Sequence, residues 1–100
     1  MWFSKTKPQP FDLPIDAAFG LKVANRVVVA GVIAEGVIVK GAKAKLQVSG
    51  SSTPVTVVGL EAGPGKPVKS GSAGDRIAVM IEGAEKADVP EGARLISEGG

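Results

Sequence analysis

Three glycines stand five residues apart, at positions 31, 36 and 41, inside the most apolar stretch of the chain, R-V-V-V-A-G-V-I-A-E-G-V-I-V-K-G-A-K from Arg26 to Lys43. Seven β-branched or small apolar residues fill Val27 to Ala34 around Gly31, and a second run, Val37-Ile38-Val39, ends at Lys40-Gly41. Val and Ile suit the pleated, half-buried surface of a sheet, while glycine in a helix interior is destabilising. The stretch therefore predicts strands. Gly36 falls between two apolar runs and predicts the turn of a hairpin, where positive φ is cheap only without a Cβ. Gly31 falls inside one run and predicts a bulge or sharp bend, of the kind small barrels need at their corners.

Elsewhere the chain shows the same two-residue period. Ala44, Leu46 and Val48 alternate with Lys43, Lys45 and Gln47, and Ile77, Val79 and Ile81 alternate with Ala78, Met80 and Glu82. These patterns mark strands with one face in a core. Thr53 to Glu61 predicts another strand, with Val55 and Val57 on one face and Gly59 as a bulge before Leu60. Shorter strands are expected at Phe19–Val23, at Lys66–Lys69 on an edge, and at Arg94–Ser97. Pro14 makes the segment Phe11–Asp16 an edge or an extended lead-in. No span carries an amphipathic helix of three turns. The buried set is expected to include Val27, Val29, Leu46, Val55, Val57, Ile77, Val79 and Ile81. Strands spaced by about 8–12 residues with turn signals between them predict an all-β fold, a small closed antiparallel β-barrel.

One hundred residues suffice for one core, and four aromatics leave that core to Val, Ile, Leu and Ala. Residues 11–97 are expected to form the barrel, residues 1–10 a flexible arm tipped by Trp2-Phe3, and residues 98–100 a tail. There is neither cysteine nor histidine, which removes disulfides, thiol chemistry, Cys/His metal sites and every triad that needs histidine. The absence of cysteine fits a cytoplasmic protein. The start of the chain has no apolar core of a signal peptide, and no run approaches a membrane span, so no membrane partner is expected.

The net charge of +2 is small, but its distribution is uneven. Residues 40–69 carry five lysines (Lys40, Lys43, Lys45, Lys66, Lys69) against Glu61, whereas residues 75–100 carry six acids against three bases. Such asymmetry accompanies two differently solvated faces, and a lysine-rich face also suits a phosphate backbone. The glycine cluster Gly59–Pro67 is not a phosphate loop. Its first glycine is misplaced, Pro67 follows Lys66 where Ser or Thr is required, and no helix comes next. No nucleotide and no cofactor is therefore expected. Asp12 with Asp16, and Glu82 with Glu85, are the carboxylate pairs available for acid–base work. Neither has a companion nucleophile or metal set, and the chain is expected not to be an enzyme.

Several blocks, taken in order, resemble the second domain of elongation factor Tu and related translational GTPases. They are Pro10–Phe19, Val28-Val29-Ala30-Gly31, Glu35–Gly41, Val57–Glu61, Ser72-Ala73-Gly74-Asp75 and Glu91–Leu95. The resemblance covers roughly Pro10 to Ser97 and implies a barrel with Greek-key-like connections, standing here without a GTPase domain. It also implies contact with the aminoacylated end of transfer RNA and with the small ribosomal subunit. The family's acidic pair near the amino-acid pocket corresponds to Asp16-Ala17, with the second acid lost. Its pocket aromatic corresponds to Phe19, which we expect to serve the core instead, and the glutamate set against the terminal adenine corresponds to Glu61. A threonine is replaced by Ala30, an asparagine by Arg76, and an arginine by Glu82. The aromatic and basic residues expected after the glutamate are replaced by Ala62-Gly63-Pro64. The resemblance thus implies a retained fold with an eroded aminoacyl-tRNA site. The expected function is a non-enzymatic, translation-factor-like binding module contacting RNA or the ribosome through the lysines. The alternative is a protein-protein interaction module that has left translation.

Overall fold

The computed structural model describes residues 9–98, and the Trp2-Phe3 arm lies outside them. Among these residues nine strands follow one another: β1 (Gln9–Pro14), β2 (Ala17–Gly20), β3 (Arg26–Val32), β4 (Glu35–Val39), β5 (Lys43–Val48), β6 (Ser51–Glu61), β7 (Ser70–Ser72), β8 (Arg76–Glu82) and β9 (Arg94–Ser97). A single turn of 3-10 helix at Lys86–Asp88 is the one helical element among the described residues. All pairings are antiparallel, in the order β2-β3-β8-β6-β5-β9-β1-β4-β7.

The inward faces of this curled sheet meet in one core. Val27, Val29, Leu46, Val55, Val57, Ile77, Val79 and Ile81 are all buried in it, joined by Leu13, Ile33, Ile38 and Leu95. No polar or charged residue is buried among the described residues. Strict alternation produces this arrangement: along β8, Ile77, Val79 and Ile81 are buried while Ala78 and Met80 are only half-buried.

The sheet is not closed by a continuous ladder, contrary to the sequence expectation. It ends at β2 on one side and at β7 on the other. The expected edge strand at Lys66–Lys69 makes an isolated bridge, Glu61 to Pro67, with the Val68 amide donating to the Leu60 carbonyl at 2.9 Å. Proline has no N–H to continue a ladder there. The regular strand starts instead at Ser70, on β4. The curl is held at this seam by single bonds, including the Lys40 amide to the Lys69 carbonyl at 3.0 Å.

The two glycines of the apolar stretch do something other than expected. Between β3 and β4 there is no hairpin, because β3 pairs with β2 and β8 while β4 pairs with β1 and β7. Ile33-Ala34 carries the chain from one side of the sheet to the other. Gly36 lies inside β4 at φ +79°, and a Cβ there would sit 1.9 Å from the Pro10 carbonyl oxygen. The β1–β4 register shifts at this point, between Gln9 opposite Val37 and Asp12 opposite Glu35. Gly31 is not a bulge either, since β3 and β8 stay in register from Arg26–Glu82 to Val32–Arg76. A Cβ on Gly31 would lie 2.2 Å from the Pro14 carbonyl oxygen. Both glycines permit β1 to pass close over the β3–β4 stretch. The bulge expected at Gly59 is present, as a register shift between Val57 and Gly59 opposite β8.

The strand expected at Phe19–Val23 lies earlier, at Ala17–Gly20. Its end is displaced by a turn in which Asn25 takes φ 61° and its amide donates to a Glu85 carboxylate oxygen at 2.9 Å.

Candidate functional site

The outward face of β2, β3, β8 and β6 is where the candidate residues gather. Cross-strand register places Phe19 opposite Val28, Val28 opposite Met80, and Met80 opposite Gly59. These side chains share the face turned away from the core. Phe19 is therefore not a core residue: it stands 55% exposed on the outward face of β2, an edge strand. Val32 at the end of β3 and Leu21 just past β2 are also exposed, so this surface carries several large apolar side chains.

Two depressions lie on it. One, of about 370 Å³, is lined by Leu21, Val28, Leu60, Val68 and Met80, with Lys40 and Glu61 also on its wall. The other, of about 320 Å³, is lined by Ala30, Glu61, Ala62, Pro64, Arg76 and Ala78. Glu61 belongs to both and is exposed between them. The replacements read from the sequence, Ala30, Arg76 and Ala62-Gly63-Pro64, thus converge on a single hollow. That convergence was not visible as spacing, since they come from three separate segments.

At the end of that hollow Asp16 is already engaged. Arg76 binds it with both guanidinium nitrogens, at 2.7 and 3.0 Å. Hydrogen bonding by Arg76 holds the Asp16 carboxyl below the ordinary carboxylate range; desolvation opposes this and the attraction of the Arg76 charge adds to it. The Arg76 guanidinium is correspondingly pushed up. Two exposed charges that satisfy each other offer a ligand a polar rim and little net field.

The carboxylates paired on paper as acid–base candidates have the same kind of occupation. Asp12 receives Arg94 Nε at 3.0 Å, Glu82 receives Arg26 at 3.1 Å, and Glu85 caps the Asn25 amide. All three ion pairs among the described residues use arginines, and none uses a lysine.

The lysines divide. Lys40 and Lys69 are exposed and are brought together by the bond between their backbones. They line a broad trough with Val39, Gly41, Pro67 and Val68. Lys43 is exposed at the start of β5, just past the Gly41 turn. Lys66 is exposed beside Glu61, its carbonyl accepting from the Ala62 amide at 3.0 Å. Lys45 is half-buried between Pro54 and Ile96 on the neighbouring strands. Two of the five, Lys40 and Lys69, therefore meet at one seam, which sequence order does not reveal, because they are 29 residues apart.

Comparison with solved structures identifies what this arrangement is like. Translation elongation factor SelB from Methanococcus maripaludis, in complex with the GTP analogue GppNHp, superposes with a TM-score of 0.81 at 27% identity over 90% of this chain. The chain is a translation-factor-like β-module. The apo form of the same factor gives a TM-score of 0.80, again at 27% identity and over 90% of the chain. The module spans 19% of the length of each of those chains. No family model matches the sequence. No curated protein matches it either. No helix among the described residues of the module is long and apolar enough to cross a membrane.

Proposed function

We propose that this translation-factor-like module is a non-enzymatic binding unit that contacts RNA or a ribonucleoprotein through the exposed lysines Lys40, Lys43 and Lys69. The observation that carries the reading is the contrast between the two kinds of cation. The arginines Arg26, Arg76 and Arg94 are spent on Glu82, Asp16 and Asp12, while these three lysines are exposed and in none of the ion pairs among the described residues. Exposed lysines outside ion pairs, two of them lining one trough, are what a phosphate backbone recruits, releasing its counterions on contact. The likeness to SelB supports translation, in the cytoplasm, as the setting. The hollow around Glu61 is not assigned to an aminoacyl end: Asp16 is held by Arg76, and Ala30 has no hydroxyl to offer.

The test is retention on ribosomes at two salt concentrations, comparing the natural chain with the Lys40→Gln, Lys43→Gln, Lys69→Gln triple variant. Losing three phosphate contacts should flatten the slope of log affinity against log salt by about two to three units. Equal retention of both proteins at both salts would rule the RNA reading out. A second reading, a module that binds another protein, is favoured by the exposed Phe19 on β2, Val32 on β3 and Val23 in the turn between them. It expects little salt dependence.

A further inference from the structure

The sheet ends in two edge strands, and they are guarded differently. At β7 the Ser72 amide already donates to an Asp75 carboxylate oxygen at 2.9 Å, so a further strand would find that donor taken. At β2, Ala17-Ala18-Phe19-Gly20, there is neither a charged residue nor a proline, the usual means of blunting an edge. Among the described residues β2 pairs with β3 alone.

The alternation of an antiparallel ladder fixes which backbone groups of β2 face outward along the sheet. The Gly83 amide donates to the Asn25 carbonyl at 2.8 Å, so Asn25 and Gly83 belong to the hydrogen-bonded set between β3 and β8. Every second residue follows suit, through Val27 with Ile81 and Val29 with Val79. The residues between them, Val28 and Ala30, turn their backbone groups the other way, to Phe19 and Ala17 of β2. The Asp16 amide, which donates to the Ala30 carbonyl at 2.9 Å, agrees with this. The N–H and C=O of Ala18 and Gly20 are left on the open edge, and they have no backbone partner among the described residues.

We infer that β2 pairs antiparallel with β2 of a second copy of this chain, about a two-fold axis at Phe19. Among two-fold registers this one sets Ala18 of each copy opposite Gly20 of the other, so that all the outward groups of both residues exchange N–H···O=C bonds. Phe19 then faces Phe19 of the second copy at a position without hydrogen bonds, where Cα atoms approach to about 4.5 Å and side chains are closest. The ring, 55% exposed in the single chain, is covered there by its equal. The same register brings Ala17 beside Leu21, another exposed apolar side chain, and Asp16 toward Lys22. Lys22 is exposed and in none of the ion pairs among the described residues, and the Asp16 side chain keeps 54% exposure beside Arg76. The two charges are complementary. Because the contact is isologous it uses up the edge and stops at two copies. It involves none of Lys40, Lys43 and Lys69, so it goes beyond the RNA reading and is tested apart from it.

The test is sedimentation equilibrium of the full chain from micromolar to near-millimolar concentration, where a single monomer–dimer equilibrium is expected. Ala18→Pro removes an outward N–H that the β3 ladder does not use and sets a ring on the open edge. Phe19→Lys places like charges opposite each other on the axis. Each should weaken dimerisation by about ten-fold or more while far-UV circular dichroism keeps the strand signal. Should Ala18→Pro not fold, Phe19→Lys carries the test, since that side chain is already exposed. Lys22→Glu turns the attraction to Asp16 into repulsion, and should weaken the dimer a few-fold at low salt and less at high salt. A chain that stays monomeric throughout overturns the inference. So does a dimer that Ala18→Pro and Phe19→Lys leave equally tight, or a series of species that grows beyond two copies.

Discussion

The paired strands β3 and β8 present two faces made from nearly the same alphabet and put to opposite use. Inward, Val27, Val29, Val79 and Ile81 are fully buried; outward, Val28, Met80 and Ala78 line open depressions. Both faces are apolar, and composition does not distinguish them. The difference is that the inner face is opposed by the rest of the sheet, whereas the outer face is only partly covered by residues 9–98. Apolar character on the inner face is explained by the fold. On the outer face it requires another explanation, and that is where binding is to be sought.

The sharpest way to break this comparison is to truncate neighbours. Ile81→Ala on the inner face should cost about 2–5 kcal/mol in urea unfolding, through lost burial and an uncollapsed cavity. Met80→Ala, one residue away on the outer face, should cost about 1 kcal/mol or less. Equal losses would mean that the outer face is as much a core as the inner one. Next in size is Gly31→Ala, whose new methyl meets the Pro14 carbonyl oxygen at 2.2 Å and forces β1 away from β3. A loss of about 1–3 kcal/mol, the usual range for overpacking, is expected by the same measurement. Stability unchanged by this substitution would show that β1 does not depend on the close approach.

The lysine triple variant sharpens the comparison from the other side. It should leave unfolding within about 0.5 kcal/mol of the natural chain, because none of the three cations is in an ion pair among the described residues. The smallest effect is expected at the Asp16–Arg76 pair, whose two side chains are more than half exposed. Since Asp16 titrates below its ordinary value in the folded chain, its contribution is present above the unfolded value and is lost as pH falls through the folded one. An NMR titration should find the Asp16 carboxyl shifted down in the natural chain and returned toward the ordinary range by Arg76→Gln.

Much of the fold was legible because a two-residue period survives whatever strands pair with. Ile77, Val79 and Ile81 declare a buried face without reference to any partner. What failed was partner choice. Glu35-Gly36 between two apolar runs has the composition of a hairpin turn, and nothing local reveals that β3 and β4 go to different neighbours. Closure failed for a related reason, since the Lys66–Lys69 segment was expected as an edge strand but Pro67 allows only a bridge. Phe19 was misplaced because aromatic character suggests burial, whereas exposure follows from β2 being an edge. Among the candidate site residues, types were visible and pairings were not. Asp16 and Arg76 are separated by 60 residues, and only folding makes their charges cancel.

The pairing of β1 with β9 joins Asp12 to Ile96 and Leu13 to Leu95, the first strand to the last. Closing so long a loop comes before most of the reward, and domains dominated by such distant pairings fold in roughly milliseconds to seconds, not microseconds. As the chain is synthesised, β1 emerges first and has only β4 to join until β9 follows. Leu13, fully buried in the finished module, must wait in water for Leu95. The timing of synthesis, more than the strength of any one contact, then governs how long that apolar edge is at risk of pairing with another chain.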